Sequence, residues 1–240
     1  MLLEENTTVS LHKLTNRIFY MDHEPEFDRP MLVYIKGEKY SLAIDAGYSA
    51  SHVKKFYDLL EAEGLSLPDF TAITHWHYDH TYGMYCTNGC CIAHKKTNEY
   101  LREEQRKSLD AGYVDFMKKE DVRFAREYEG INEVTIVPAQ MEFEDRIRLD
   151  LGNMAAEIFY TVAPHTEDSA CIYIPEEKVI FLGDCICPDY MNGGYLDKEK
   201  LDKLIQVIEK TDCRYCILSH DVPLTKEELL EYLYGEMQKD

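Results

Sequence analysis

Apolar residues recur at every second position in many short runs of this chain, and at every third or fourth position in a few longer ones. Residues 17–21, 31–36 and 40–44 read as strands, with Gly37 turning the last two into a pair. Ser51 then precedes a helical period through Val53, Phe56, Leu59 and Leu60, which predicts a helix capped by Ser51 and ending near Gly64. Residues 70–74 predict a buried strand, 81–85 a short helix and 89–93 another strand. The strand habit returns over 134–137, 146–149 and 158–162. Residues 170–174 and 179–182 form a hairpin pattern around the polar turn Pro175-Glu176-Glu177-Lys178. An amphipathic helix is predicted over 198–210, a strand through Cys213-Arg214-Tyr215-Cys216-Ile217-Leu218, and a last helix over 226–237 capped by Thr225.

Residues 97–130 break the strand rhythm. They are charged and helix-favouring, with Tyr100, Leu101, Leu109, Tyr113, Phe116, Met117 and Phe124 as apolar points. The stretch reads as a helical insertion. Its aromatic residues either pack it onto the body or border a cleft. With no linker, repeat or low-complexity tract, residues 1–240 read as one α/β domain.

Composition narrows the function. Lys and Arg number 26 against 45 Asp and Glu, a net charge of −19. Such a body repels phosphate backbones, so no nucleic-acid partner is expected. No apolar run approaches the roughly 20 residues of a membrane helix, so no membrane partner is expected either. Residues 1–10 lack a basic start followed by an apolar stretch, so no export signal is read there. The eight cysteines then read as free thiols in a reducing cytoplasm. Cys213-x-x-Cys216 has redox or metal spacing, but its place on a predicted strand favours two buried structural thiols.

The chemistry is concentrated in Thr74-His75-Trp76-His77-Tyr78-Asp79-His80. Alternation along extended chain points His75 and His77 the same way, and Asp79 and His80 follow where the chain turns into a helix. Three later residues end apolar runs: His165 in Ala163-Pro164-His165-Thr166, Asp184 in Phe181-Leu182-Gly183-Asp184, and His220 in Leu218-Ser219-His220. Imidazole and carboxylate donors suit Zn²⁺, with Mn²⁺ or Fe as other fits. Seven donors exceed the four of a closed structural zinc, which points to two divalent metal ions with positions left for water and substrate. His12, His23, His52 and His94 read as ordinary structural or surface histidines. Asp168 and Asp221 read equally well as surface residues or as partners of ligands.

His-x-His-x-Asp-His, followed in order by His165, Asp184 and His220, resembles the pattern of the metallo-β-lactamase superfamily over residues 18–220. The resemblance implies an αββα four-layer sandwich with the metals at one edge between two sheets. It implies one ion on His75, His77 and His165, a second on Asp79, His80 and His220, and Asp184 bridging them. Asp45 resembles the family's early strand-end aspartate, near the site without being a ligand. The β-lactamases that use a cysteine ligand carry it about where Asp184 stands, which directs the reading toward the broader two-metal hydrolases. Flavodiiron proteins carry a carboxylate in place of His77 and a further flavodoxin domain.

The implied activity is hydrolysis of a small-molecule ester, thioester, lactone, amide or phosphodiester by a hydroxide held between the ions. Asp79 and Asp184 are the expected catalytic carboxylates, the first orienting the nucleophile and the second setting the separation of the ions. Tyr78, Tyr113, Tyr190 and Tyr195 are candidate substrate-binding or proton-donating residues. The competing class is a metal-dependent, di-iron oxidoreductase or a non-hydrolytic metal-binding protein on the same scaffold. A homo-oligomer is left open.

Overall fold

A computed structural model describes residues 9–239, so most of the reading of residues 1–10 lies outside the described residues. The first half runs β1 (Leu11–Lys13), β2 (Ile18–Met21), β3 (Leu32–Lys36), β4 (Ser41–Ile44), α1 (Ala50–Ala62), β5 (Phe70–Ala72), α2 (Tyr78–Thr81) and β6 (Cys90–His94). The insertion follows as α3 (Lys95–Lys107), α4 (Tyr113–Glu120) and α5 (Val122–Glu127), and the chain returns through β7 (Met141–Phe143). The second half holds β8 (Arg146–Asp150), β9 (Ala155–Tyr160), β10 (Ala170–Ile174), β11 (Val179–Gly183), α6 (Lys198–Lys210), β12 (Tyr215–Leu218), β13 (Leu224–Thr225) and α7 (Lys226–Gln238).

The strands form two sheets. Seven strands lie in the order β1-β2-β3-β4-β5-β6-β7, and six in the order β13-β12-β11-β10-β9-β8. Period-two alternation gives each sheet two apolar faces. Val33 and Ile35 of β3 join Ile158, Ile172, Phe181 and Ile217 of the second sheet in the core between the sheets. Leu32 and Tyr34, from the same strand, turn outward onto Phe56 and Leu60 of α1. Ile180 and Leu182 of β11 turn outward onto Leu204, Ile208 and Leu233 of α6 and α7. Helix, sheet, sheet and helix therefore stack as the four layers expected from the resemblance.

Local boundaries differ from the sequence pattern in four places. Ser49, not Ser51, caps α1, and its side chain accepts from His52 N. The short helix expected over 81–85 begins earlier, at Tyr78, and a 3-10 turn over Met84–Cys86 follows it. The strand expected over 158–162 is β9, which starts three residues and ends two residues earlier, because Ala155 to Phe159 pair with β8 and Glu157 to Tyr160 with β10. Residues 134–137 are not a strand. Ile136 is buried against the insertion, and Gln105 Nε2 donates to its carbonyl at 2.7 Å, so its backbone bonds a side chain instead of a ladder. No helix among the described residues is long and apolar enough to cross a membrane, and the eight cysteines are free thiols.

Candidate metal centre

The seven donors sit just beyond strand ends. β5 runs into Thr74, whose N–H and hydroxyl both donate to Asp45 Oδ1, at 2.8 and 3.0 Å. That anchor fixes the extended stretch carrying His75 and His77. His75 Nε2 lies 3.2 Å from His77 Nδ1, and His165 Nε2 lies 3.1 Å from the same atom. His165 Nδ1 donates to the Pro188 carbonyl at 2.9 Å, which turns Nε2 toward the cluster. One donor atom from each of His75, His77 and His165 lies within 4.8 Å of the others, and all three residues are buried.

A second cluster of Asp79, His80, Asp184 and His220 satisfies the same 4.8 Å limit. Asp79 and His80 occupy the first turn of α2. Asp79 Oδ2 stands 3.1 Å from His80 Nε2 and 3.2 Å from His220 Nε2. Asp184 Oδ2 stands 3.6 Å from His80 Nε2, 3.4 Å from His220 Nε2 and 3.8 Å from His165 Nε2, so it reaches both clusters. Gly183 places it there. Its φ of +55° suits glycine, and a Cβ at this position would stand 2.7 Å from Thr74 Cβ. Asp45 adopts φ of 60° and accepts from His80 Nδ1 at 2.8 Å, which leaves Nε2 facing the cluster. That Nε2 is buried and makes no hydrogen bond.

Burial sets the protonation of the first cluster. Loss of solvent pushes His75 well below the usual histidine value, and the rings of His80, His77 and His165 add to the effect. His77 falls to about 3, through burial and then His165. Both rings present neutral lone pairs at neutral pH, the state a metal requires. In the second cluster burial is outweighed. It opposes charge on His80, yet Asp79, Asp45 and Asp184 hold that ring well above its usual value. Burial also opposes charge on His220, which Asp184 and Asp79 carry up to about 9. Burial would raise Asp79 and Asp184, but His80 and His220 pull both below the usual carboxylate range. Protons on His80 and His220 thus offset the negative charge gathered from Asp45, Asp79 and Asp184. A divalent ion can replace those protons at the second cluster, and the neutral rings of the first offer lone pairs directly, so both donor sets fit a metal.

The clusters form the floor of a cleft of about 1170 Å³. Of the four candidate tyrosines, Tyr78, Tyr113 and Tyr190 line it and Tyr195 does not. Tyr78 stacks on Tyr48 and donates to Asp121 at 2.6 Å. Tyr113 is buried and donates to Glu104 at 2.8 Å. Tyr190 is exposed, with its ring 6.1 Å from that of His165. Tyr195 is exposed and bridges to Asp189. His94 is buried and stacks on Tyr160, a structural role. Asp168 is buried and accepts from Thr97 and Thr166, each at 2.7 Å, tying α3 to the His165 loop, while Asp221 is exposed. Asp28, Trp76, Phe116, Met117 and Arg123 also line the cleft and were not singled out as site residues from the sequence. Asp28 carries no sequence signal beyond a turn-forming Asp-Arg-Pro; its φ is 60° and its Oδ1 lies 3.8 Å from His220 Nδ1.

Two packed sheets with helices outside, and a His/Asp centre beyond their strand ends, define the metallo-β-lactamase fold. Solved structures share it at low identity. A metallo-β-lactamase from Pontibacter korlensis aligns at 14% identity and a TM-score of 0.69, over 97% of this chain and 100% of its own. DIM-1 metallo-β-lactamase aligns at 17% identity and a TM-score of 0.69, over 96% and 97%. The inverting sec-alkylsulfatase Pisa1 from Pseudomonas sp. aligns at 14% identity and a TM-score of 0.73, over 95% of this chain, which spans 41% of that longer protein. No family model matches the sequence, and no curated protein matches it either.

Proposed function

We propose that this protein is a metal-dependent hydrolase of a small molecule, with one ion on His75, His77 and His165, a second on Asp79, His80 and His220, and Asp184 between them. The observation that carries this reading is the pair of donor clusters sharing Asp184 at the floor of an open cleft. Divalent ions in such a site supply Lewis acidity and lower the pKa of water from 15.7 toward about 7.

The chain's own residues do the rest. Asp184 spans the clusters and fixes their separation. Asp79 holds His80 and His220 in place and orients the attacking water by accepting a hydrogen bond from it. Asp45 keeps the His80 tautomer. Tyr190, exposed beside His165, is the proposed proton donor to the leaving group. Burial and the Asp121 hydrogen bond raise Tyr78 above the usual phenol value, so it keeps its proton and serves as a fixed wall.

The donor chemistry favours zinc, with iron or manganese as substitutes. The substrate is an ester, thioester, lactone, amide or phosphodiester. The acidic surface supports a small molecule over a nucleic acid, and the free thiols support a reducing cytoplasm. Metal analysis combined with assays on chromogenic esters, thioesters, phosphodiesters and a β-lactam tests the proposal. Two ions per chain and turnover of one of these classes are expected. Redox-active iron without hydrolysis would overturn it.

A further inference from the structure

The cleft walls carry a substrate preference. Phe116 and Met117 enter from α4, Tyr190 and Met191 from the segment after β11, and Trp76 from the first metal motif. Phe116 is 57% exposed, Tyr190 68% and Met191 49%. Large apolar side chains gathered in the open around one cleft mark a surface that receives apolar matter.

The charges point the same way. Lys107 and Arg123 are the lysine and the arginine lining the cleft. Lys107 Nζ lies 2.8 Å from Glu104 and 3.0 Å from Glu103. Arg123 Nη1 lies 3.0 Å from Asp28. Each is paired with carboxylates of the chain, so an anion on the distant part of a substrate has to compete with them. Asp110, Glu120 and Asp121 line the same walls and repel such an anion.

We infer that the substrate carries an uncharged, apolar arm beyond its reacting group. This rests on the hydrolase reading and narrows it. For an ester, thioester or lactone, water adds to the carbonyl carbon, the bond to the leaving oxygen or sulfur breaks, and that atom takes the proton. The products are a hydrophobic acid and an alcohol or thiol, or the ring-opened hydroxy acid. The arm lies on Phe116 and Met191, away from the donor clusters.

The test uses zinc-loaded protein and three p-nitrophenyl esters: acetate, hexanoate and the adipate monoester, whose arm matches hexanoate in length but ends in a carboxylate. Hexanoate is expected to exceed both others in kcat/KM by about tenfold or more, given the apolar surface its added methylenes bury. Phe116→Ser, at an exposed position, narrows the hexanoate-to-acetate ratio. Trp76 is the single tryptophan and lines the cleft, so its fluorescence reports binding apart from turnover. Hexanohydroxamate is expected to bind more tightly than acetohydroxamate or the adipic monohydroxamate. Adipate turned over as well as hexanoate, or acetate as well as hexanoate, overturns the inference and leaves hydrolysis standing. Absence of ester turnover with the hydroxamate ranking intact rejects ester hydrolysis and supports the apolar arm. A flat hydroxamate ranking overturns the arm.

Discussion

Asp45 accepts a hydrogen bond from His80 Nδ1 at 2.8 Å, and both side chains are buried. The contact decides which nitrogen of His80 faces the second cluster, because a ring that donates through Nδ1 offers Nε2 as its lone pair. Thr74 holds the aspartate from the other side, donating to Oδ1 from its N–H and to both oxygens from its hydroxyl. One carboxylate therefore orders both the strand end carrying His75 and the helix turn carrying His80.

Asp45→Asn keeps the size of the side chain and tolerates the positive φ, but it removes the charge behind His80. Affinity for the second ion is expected to fall about 10–100-fold, with a smaller change at the first. Zinc titration against a competing chelator measures both. An equal loss at the two clusters would contradict the assigned role.

Asp79→Ala is expected to lower turnover by roughly a hundredfold to ten-thousandfold while the protein stays folded. The trio of His75, His77 and His165 does not depend on this side chain, so one ion per chain is retained. Circular dichroism and metal analysis separate this result from simple unfolding. Near-normal turnover with both ions bound would rule out Asp79 as the orienting group.

Much of this architecture was legible because alternation is a local property. Val33 and Ile35 face one core while Leu32 and Tyr34 face another, and the run shows that period directly. The first four donors were legible because three imidazoles and a carboxylate within six residues have little structural explanation. Residues 134–137 misled for the same reason that strands are found. Val134 and Ile136 alternate as a strand would, but they bury that face against the insertion. β1, only three residues long, carries too little pattern to register. Arg29 and Glu127 lie 98 positions apart, and no local signal joins them.

That distant pair sets another expectation. Arg29 Nε and Nη2 donate to the two oxygens of Glu127 at 2.8 and 3.0 Å, fastening α5 to the loop before β3. The Glu127 side chain has no solvent exposure. Arg29→Met leaves that carboxylate buried without its cation, which costs about 3–5 kcal/mol of stability. Urea unfolding reads the loss. Arg29→Met combined with Glu127→Gln is expected to recover part of it, because the uncompensated charge is gone. A double variant no more stable than the single one would show that the loss does not come from the stranded charge.

The two clusters also predict different proton traffic when zinc enters the metal-free protein. His75 and His77 are held below their usual values, and His77 at about 3 is already neutral at pH 7. Neither has a proton to give up there. His80 is held above its usual value and His220 is carried up to about 9, so both are protonated at pH 7 and must release a proton to bind. Protons and metal compete for the same lone pairs, so raising the pH from 7 toward 9 strengthens binding at the second cluster. The gain is up to about tenfold per pH unit for each proton displaced, and it levels off once the rings are neutral. Binding at the first cluster changes less over that range. Calorimetry in buffers of different ionisation enthalpy counts the protons released at each stage. Equal release at both stages, or weaker second-stage binding as the pH rises, would show that the buried carboxylates do not hold His80 and His220 in their charged forms.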